Sequence, residues 1–355
     1  MSLNPSAKEM LPQDAKMLAQ FIAMAPFVFQ TALCLRDFGI LKILAEKPEG
    51  LHFDEIMTKA NLSRYSLSVL LDAGESSRIV ENEEEVYKLT QTGVFLEKDA
   101  ITRVNMNFTQ DVCYEGLFSL KEALQENKPA GLKVFGKWPT IYEGLAHLPQ
   151  KVQKSWFEFD HFFSDDSFPR ALPIIFEENP ETVLDVGGNT GKFAMACAAF
   201  APAAKITIVD HPGQLEMANK NIAAKDLSDR LTFVPMNLLD HSKPLPKNCD
   251  VIWMSQLLSC FSEEDVVQLL RRAKESMGPN SALFIMETFT DNQKFNVAKF
   301  CLDMTSLYFT AMANGNSRMY RSEYFYQLIE RAGLKIVKEH PYVRLNHTIL
   351  KCVPA

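Results

Sequence analysis

One run constrains this chain more than any other: Thr182-Val183-Leu184-Asp185-Val186, closed by Gly187-Gly188-Asn189-Thr190-Gly191 and followed by a helical stretch. A short apolar run bounded by glycine reads as a buried strand. A glycine-rich turn from strand into helix lets backbone approach a ligand closely and aims the helix N–H groups at it. Strands are also expected at Ile206–Val209, Leu231–Val234, Val251–Met254 and Leu283–Met286, with helical segments between them. Leu334–Lys338 and His347–Val353 close the chain as two late strands. Strands alternating with helices predict an α/β fold, a mostly parallel sheet with helices on both faces.

The second of these strands ends at Asp210, nineteen residues past Gly191. A carboxylate there is placed to accept hydrogen bonds from both hydroxyls of a ribose. A dinucleotide fingerprint would need G-x-G-x-x-G, but its key positions read Gly187, Asn189 and Lys192, and no G-K-[S/T] loop is present. The spacing Asp185-x-Gly187-x-Asn189-x-Gly191 looks instead like the acidic-G-x-G-x-G turn of S-adenosylmethionine-dependent methyltransferases. Asn189 stands in the middle glycine's place, and asparagine tolerates positive φ better than other side chains.

Upstream the pattern changes. A chain of 355 residues suggests about two domains. Residues 1–105 read as helix, helix, helix, wing. Leu33, Leu35, Phe38, Ile40, Leu41 and Leu44 form one stripe, Phe53, Ile56 and Met57 mark a second helix, and Asn61 or Ser63 caps a third over Ser63–Asp72. Ile79-Val80 and Val86–Leu89 flank the acidic turn Glu83–Glu85 as a hairpin. The third helix offers a single arginine and the wing carries Glu81, Glu83, Glu84 and Glu85, so a phosphate backbone would be repelled. The 37 basic against 44 acidic residues, net −7, argue the same way. The module therefore reads as a dimerisation or packing unit, with no nucleic-acid partner. The apolar run Met17–Cys34 is broken by Gln20, Pro26 and Gln30 and has no cleavage signal, so helices packing against something, such as a second copy, are expected rather than a membrane span. Seven scattered cysteines without C-x-x-C fit a reducing, cytoplasmic setting and argue against a metal site.

Residues 106–172 form a helical connector. Ile101–Arg170 holds twelve of the chain's 37 aromatic residues, where even spreading would give about seven. Trp138, Tyr142, Trp156, Phe157, Phe159, Phe162 and Phe163 are either core or the wall of an apolar small-molecule pocket.

Over nearly its whole length the chain resembles the O-methyltransferases related to the hydroxyindole and plant caffeate and flavonoid enzymes, including many bacterial members. Leu184–Gly191 is similar to that family's L-V-D-V-G-G-G-x-G and Asp210-His211-Pro212 to its D-L-P. Asn237-Leu238-Leu239 follows the end of G-D-M-F, Ser262-Glu263-Glu264 the S-D-E after H-D-W, and Arg331–Leu334 the late x-A-G-F. The resemblance implies a Rossmann-like class I methyltransferase domain over 173–355, with an antiparallel last strand, preceded by a winged-helix-like dimerisation domain. It implies S-adenosylmethionine as cofactor and a homodimer formed through the N-terminal domain. Asp210 would hold the ribose, Asn237 and Leu238 the adenine end, and Phe261 would replace a family tryptophan. Asp185, Gly187, Gly188, Gly191, His211 and Ser255 complete the expected cofactor set.

The departures concern catalysis. The family's histidine base falls on Ser259, and one of its two orienting glutamates on Met319; Glu287 matches the other. A serine hydroxyl is no base near neutral pH without an activator. His161, which Asp160 could orient, is a candidate substitute beside a reading as a plain helix-surface histidine; His147 is a weaker one, and Asp303 could position a substrate. Cys260 has no activating histidine nearby and is not read as a nucleophile. The expected chemistry is methyl transfer to a hydroxyl of a small aromatic or polycyclic molecule by in-line displacement. Two alternatives stand beside it: decarboxylation, hydroxylation or cyclisation with the cofactor retained, and a non-catalytic regulator.

Overall fold

A computed structural model describes residues 10–225, 227–344 and 346–355. The chain divides into two compact units, Met1–Asn107 and Phe108–Ala355.

In the first unit, β1 (Leu51–His52) lies between helices Ile40–Ala45 and Phe53–Ala60, and helix Arg64–Ser76 is followed by β2 (Val80–Glu83) and β3 (Val86–Leu89); the three strands form a small sheet in the order β1-β3-β2. This is the winged-helix order, with β1 an addition that its two residues were too short to signal. Ser63, not Asn61, caps the third helix, its hydroxyl accepting from the Ser66 N–H. Asn61 instead ends the preceding helix at φ 51°. The hairpin turns through Glu84 and Glu85 at φ 52° and 63°, the paired positive φ of a tight two-residue loop. Leu35, Ile40, Leu41, Leu44, Ile56, Leu67 and Leu71 are fully enclosed and make this unit's core. Helix Pro12–Ala23 buries none of its residues, and Leu11, Ile22 and Phe27 are exposed. Among the described residues no single helix is long and apolar enough to cross a membrane; Pro12–Ala23 and Ala25–Asp37 have that length only as a pair, bent by 67°.

The second unit is built on β4 (Thr182–Val186), β5 (Lys205–Asp210), β6 (Leu231–Pro235), β7 (Cys249–Ser255), β8 (Met277–Thr288), β9 (Leu334–Val343) and β10 (His347–Pro354). Their order is β6-β5-β4-β7-β8-β10-β9. β4 to β8 pair parallel, while β10 runs antiparallel to both β8 and β9. This is the Rossmann-like arrangement with its antiparallel closing strand. Each strand sends alternate residues to opposite faces. Accordingly, Leu184 and Val186 join a core with Leu258, Val266 and Phe325, while Val183 joins another with Phe193, Ala218 and Trp253. Strand order reverses at β4, with β5 on one side and β7 on the other, so a crevice opens beyond the carboxyl ends of these strands.

The aromatic connector packs as part of this unit. Phe159 stacks on Phe108 at 3.9 Å between ring centroids, and the Trp156 indole N–H donates to the Tyr308 hydroxyl at 2.7 Å. Pro173 lies inside helix Phe168–Ile175.

Candidate functional site

The crevice is a pocket of about 990 Å³ including its mouth. The turn after β4 forms its floor. Gly187, Asn189 and Gly191 all take positive φ, at 77°, 50° and 79°. Asparagine thus adopts the conformation expected of it in the middle glycine's place. A Cβ on Gly187 would come within 2.6 Å of Leu257, and one on Gly188 within 2.5 Å of Ile208 and 2.6 Å of the Asp185 carboxylate. Gly191 serves packing, since a Cβ there would meet Ala218 and Ile222 of the helix Pro212–Ala223.

Asp210 ends β5 at the pocket wall. Its Oδ2 accepts the Asn189 N–H at 2.8 Å and its Oδ1 the His211 N–H at 2.6 Å. Each oxygen keeps a further lone pair for a ligand hydroxyl. Burial raises this carboxyl's pKa even though both N–H bonds oppose it. Asp185, 2% exposed at the base of the turn, is pushed up to about 8 by burial and by the charge of Asp210. Leu238, Leu239, Ser255, Phe261 and His211 line the same cavity.

Helix Gln150–Ser164 supplies the opposite wall with Trp156, Asp160, His161 and Ser164. It is fastened to the turn by side chains. Asn189 Nδ2 donates to Asp160 Oδ2 at 2.9 Å, and Thr190 Oγ1 lies 3.2 Å from His161 Nε2. His161 Nδ1 and Lys192 Nζ both reach Asp165, at 3.3 and 2.5 Å.

Several buried polar atoms lack a hydrogen-bond partner among the described residues: Asp185 Oδ2, Asn189 Oδ1, Trp253 Nε1 and Gln256 Oε1. All four residues line this pocket. An enclosed polar group without a partner is costly, so such a cluster marks a place where a polar ligand completes the bonding.

Comparison with known proteins bears on what that ligand is. Residues 16–87 match a family described as a Dimerisation2-like domain, and residues 175–335 match the O-methyltransferase domain family. The chain belongs to the S-adenosylmethionine-dependent O-methyltransferases. It is 24% identical to an L-tyrosine C(3)-methyltransferase of Streptomyces lavendulae over 93% of this chain and 88% of that one. It is 25% identical to a demethylspheroidene O-methyltransferase of Rhodobacter capsulatus over 87% of this chain and 75% of the relative. The solved structure of the mitomycin 7-O-methyltransferase MmcR superposes with a TM-score of 0.75 at 17% identity, covering 97% of this chain and 98% of that one, and so shares the fold.

The methyltransferase's pocket fits its cofactor. Gly187 and Gly188 leave the space that a Cβ would fill, Asp210 keeps two acceptor sites, and the residues that carry the unpartnered atoms, Asp185, Asn189, Trp253 and Gln256, line the same pocket. Three acidic side chains, Asp160, Asp185 and Asp210, line the cavity, and a ligand carrying positive charge would favour their ionised forms.

Other expected residues lie elsewhere. Asn237 is absent from the pocket lining, and its Oδ1 accepts the Leu239 N–H at 2.9 Å, closing the loop that presents Leu238 and Leu239. Glu287 is buried beneath the loop 257–260, where its Oε1 accepts the N–H groups of Leu258 at 2.7 Å and Ser259 at 3.4 Å. Ser259 is buried there with it and does not line the pocket. His161 does line it, but its partner is Asp165 rather than Asp160. On a helix, residues four apart share a face and adjacent ones do not. Asp303 pairs with Lys299 at 2.5 Å on its own helix, and exposed His147 stacks on Trp138; neither lines the pocket. Burial pushes the Cys260 thiol up, which keeps it protonated. The sequence reading missed Lys192, Gln214, Trp253 and Gln256 as lining residues. Each stands on an element already placed, at or near the C-terminal end of a strand or the start of the following helix.

Proposed function

We propose that the methyltransferase transfers a methyl group to a hydroxyl oxygen of a small aromatic or polycyclic molecule, by in-line displacement and without a histidine base. Bound S-adenosylmethionine supplies the methyl group as an electrophile on its sulfonium. The observation that carries the reading is the burial of Ser259 against Glu287, at the position where the resemblance places the base. The titratable side chain on that loop is Cys260, whose thiol burial keeps protonated. The groups facing the cavity from this side are Leu257, Cys260 and Phe261.

The protein's own part is then to bind, orient and exclude water. Asp210 orients the ribose, Leu238 and Phe261 flank the adenine, and Tyr142, Leu145 and Trp156 give the acceptor an apolar wall. Proximity and orientation supply the rate, which suits acceptors that are already acidic, such as activated phenols. The names of relatives support an aromatic or polycyclic acceptor, among them the tyrosine and mitomycin methyltransferases. We further propose residues 1–105 as the dimerisation domain, acting through the exposed face of Leu11, Ile22 and Phe27 on a second copy of the chain.

Incubating the protein with isotopically methyl-labelled S-adenosylmethionine and a panel of phenols graded by pKa tests this. Labelled aryl ethers are expected, with rates that rise as the phenol becomes more acidic. Label on carbon, or cofactor left intact during turnover of the acceptor, would overturn it.

A further inference from the structure

We propose that Asp160 is the counter-charge for the α-ammonium group of bound S-adenosylmethionine, and that Asn189 holds it in position. The proposal rests on S-adenosylmethionine being the cofactor and goes beyond that by naming a residue of helix Gln150–Ser164 as part of the subsite.

Asp160 is enclosed by protein, yet it lines the pocket and stays accessible through it. One carboxylate oxygen, Oδ2, is taken by the Asn189 amide at 2.9 Å. The basic side chains of Lys192 and His161 are both turned to Asp165, at 2.5 and 3.3 Å. Among the described residues Asp160 forms no ion pair. Leaving a carboxylate enclosed without a cation is costly, so its retention points to a cation that arrives with the ligand.

The place of Asp160 indicates which cation this is. Asn189 stands between two carboxylates: its backbone N–H goes to Asp210 and its side-chain amide to Asp160. Asp210, with Leu238 and Phe261 nearby, takes the nucleoside end, so Asp160 faces the amino-acid end across the turn. Asp185 is less suited, because its Oδ2 lies under the turn, 2.6 Å from where a Gly188 Cβ would stand. Asn189 therefore does two things that a glycine in its place could do only in part. It keeps the positive φ of the turn and ties the turn to the far wall.

Calorimetric titration of the full chain tests this, with two probes: S-adenosylhomocysteine, which keeps the α-ammonium group, and 5′-methylthioadenosine, which lacks the amino-acid end. Asp160→Asn keeps an acceptor for the Asn189 amide and removes the charge. It should bind S-adenosylhomocysteine on the order of ten-fold more weakly and 5′-methylthioadenosine unchanged. Its melting temperature should equal or exceed that of the wild type, because a desolvated charge is gone. Asn189→Gly should show the same selective loss to a smaller extent, and it decides the matter if Asp160→Asn fails to fold. Unchanged S-adenosylhomocysteine affinity, or equal weakening of both probes, overturns the proposal. A wild-type protein that binds neither probe would instead remove the cofactor reading itself.

Discussion

Replacing Glu287 by glutamine isolates the electrostatic penalty stored beneath the loop 257–260. Glu287 is 2% exposed at the end of β8, and burial raises its carboxyl from the usual 4.5 to about 7, despite the N–H donors of Leu258 and Ser259. The folded value lies above the unfolded one. Between those two pH values the native state therefore keeps a proton that the unfolded chain has lost. The stability this contributes is complete below about pH 4.5 and is lost as the pH rises through 7. At roughly 1.4 kcal/mol per pH unit, the gap is worth about 3 kcal/mol. The glutamine variant keeps a carbonyl oxygen for the two N–H groups and carries no charge at any pH. Its stability relative to wild type should therefore grow by about 3 kcal/mol between pH 4 and pH 8.5. Thermal melts of both proteins across that range would show the difference directly, roughly 2–4 °C for each kcal/mol in a domain of this size. A difference between the two that stays flat with pH, or that turns against the variant as the pH rises, would refute the reasoning.

Three other substitutions report on separate parts of the molecule. Ser259→Ala should leave kcat within about two-fold, measured by methyl transfer, because the hydroxyl is buried on Glu287; loss of a true general base would cost 10²–10⁴-fold, to order of magnitude. Gly188→Ala should destabilise by about 1–3 kcal/mol and weaken S-adenosylhomocysteine binding, since the new methyl would stand 2.5 Å from Ile208; melting and calorimetry read both effects. Phe27→Glu, at a site 68% exposed, should shift the protein towards monomer in sedimentation equilibrium, and an unchanged assembly would move the interface to another face.

The sequence was most informative where local chemistry and periodicity agree. The seven strands of the second unit were each legible from apolar runs; β4 matches its run, while β8 and β9 run well beyond theirs. The positive φ of Asn189 followed from the likeness of Asp185–Gly191 to a glycine turn of methyltransferases, in which Asn189 takes a glycine's place. The winged-helix unit was legible in the same way. β1 was not, since two residues carry no period and owe their pairing to β3.

The site was legible in part, for a physical reason. Residues such as Gly187, Gly188 and Asp210 are tied to the turn's backbone geometry, so their spacing determines where they stand. Asp160, Asp165, His161 and Lys192 belong to segments that meet only after folding, and adjacency in sequence misled: Asp160 looked like the partner of His161, but the helical twist gives that place to Asp165. Depth was equally hidden. Nothing local distinguishes Ser259 and Glu287, buried against each other, from Cys260 and Phe261 on the pocket wall. Periodicity and spacing set the α/β architecture and the glycine turn, and the family resemblance pointed to the ligand. Tertiary packing alone decided which side chains face that ligand, because burial and pairing depend on neighbours far away in the chain.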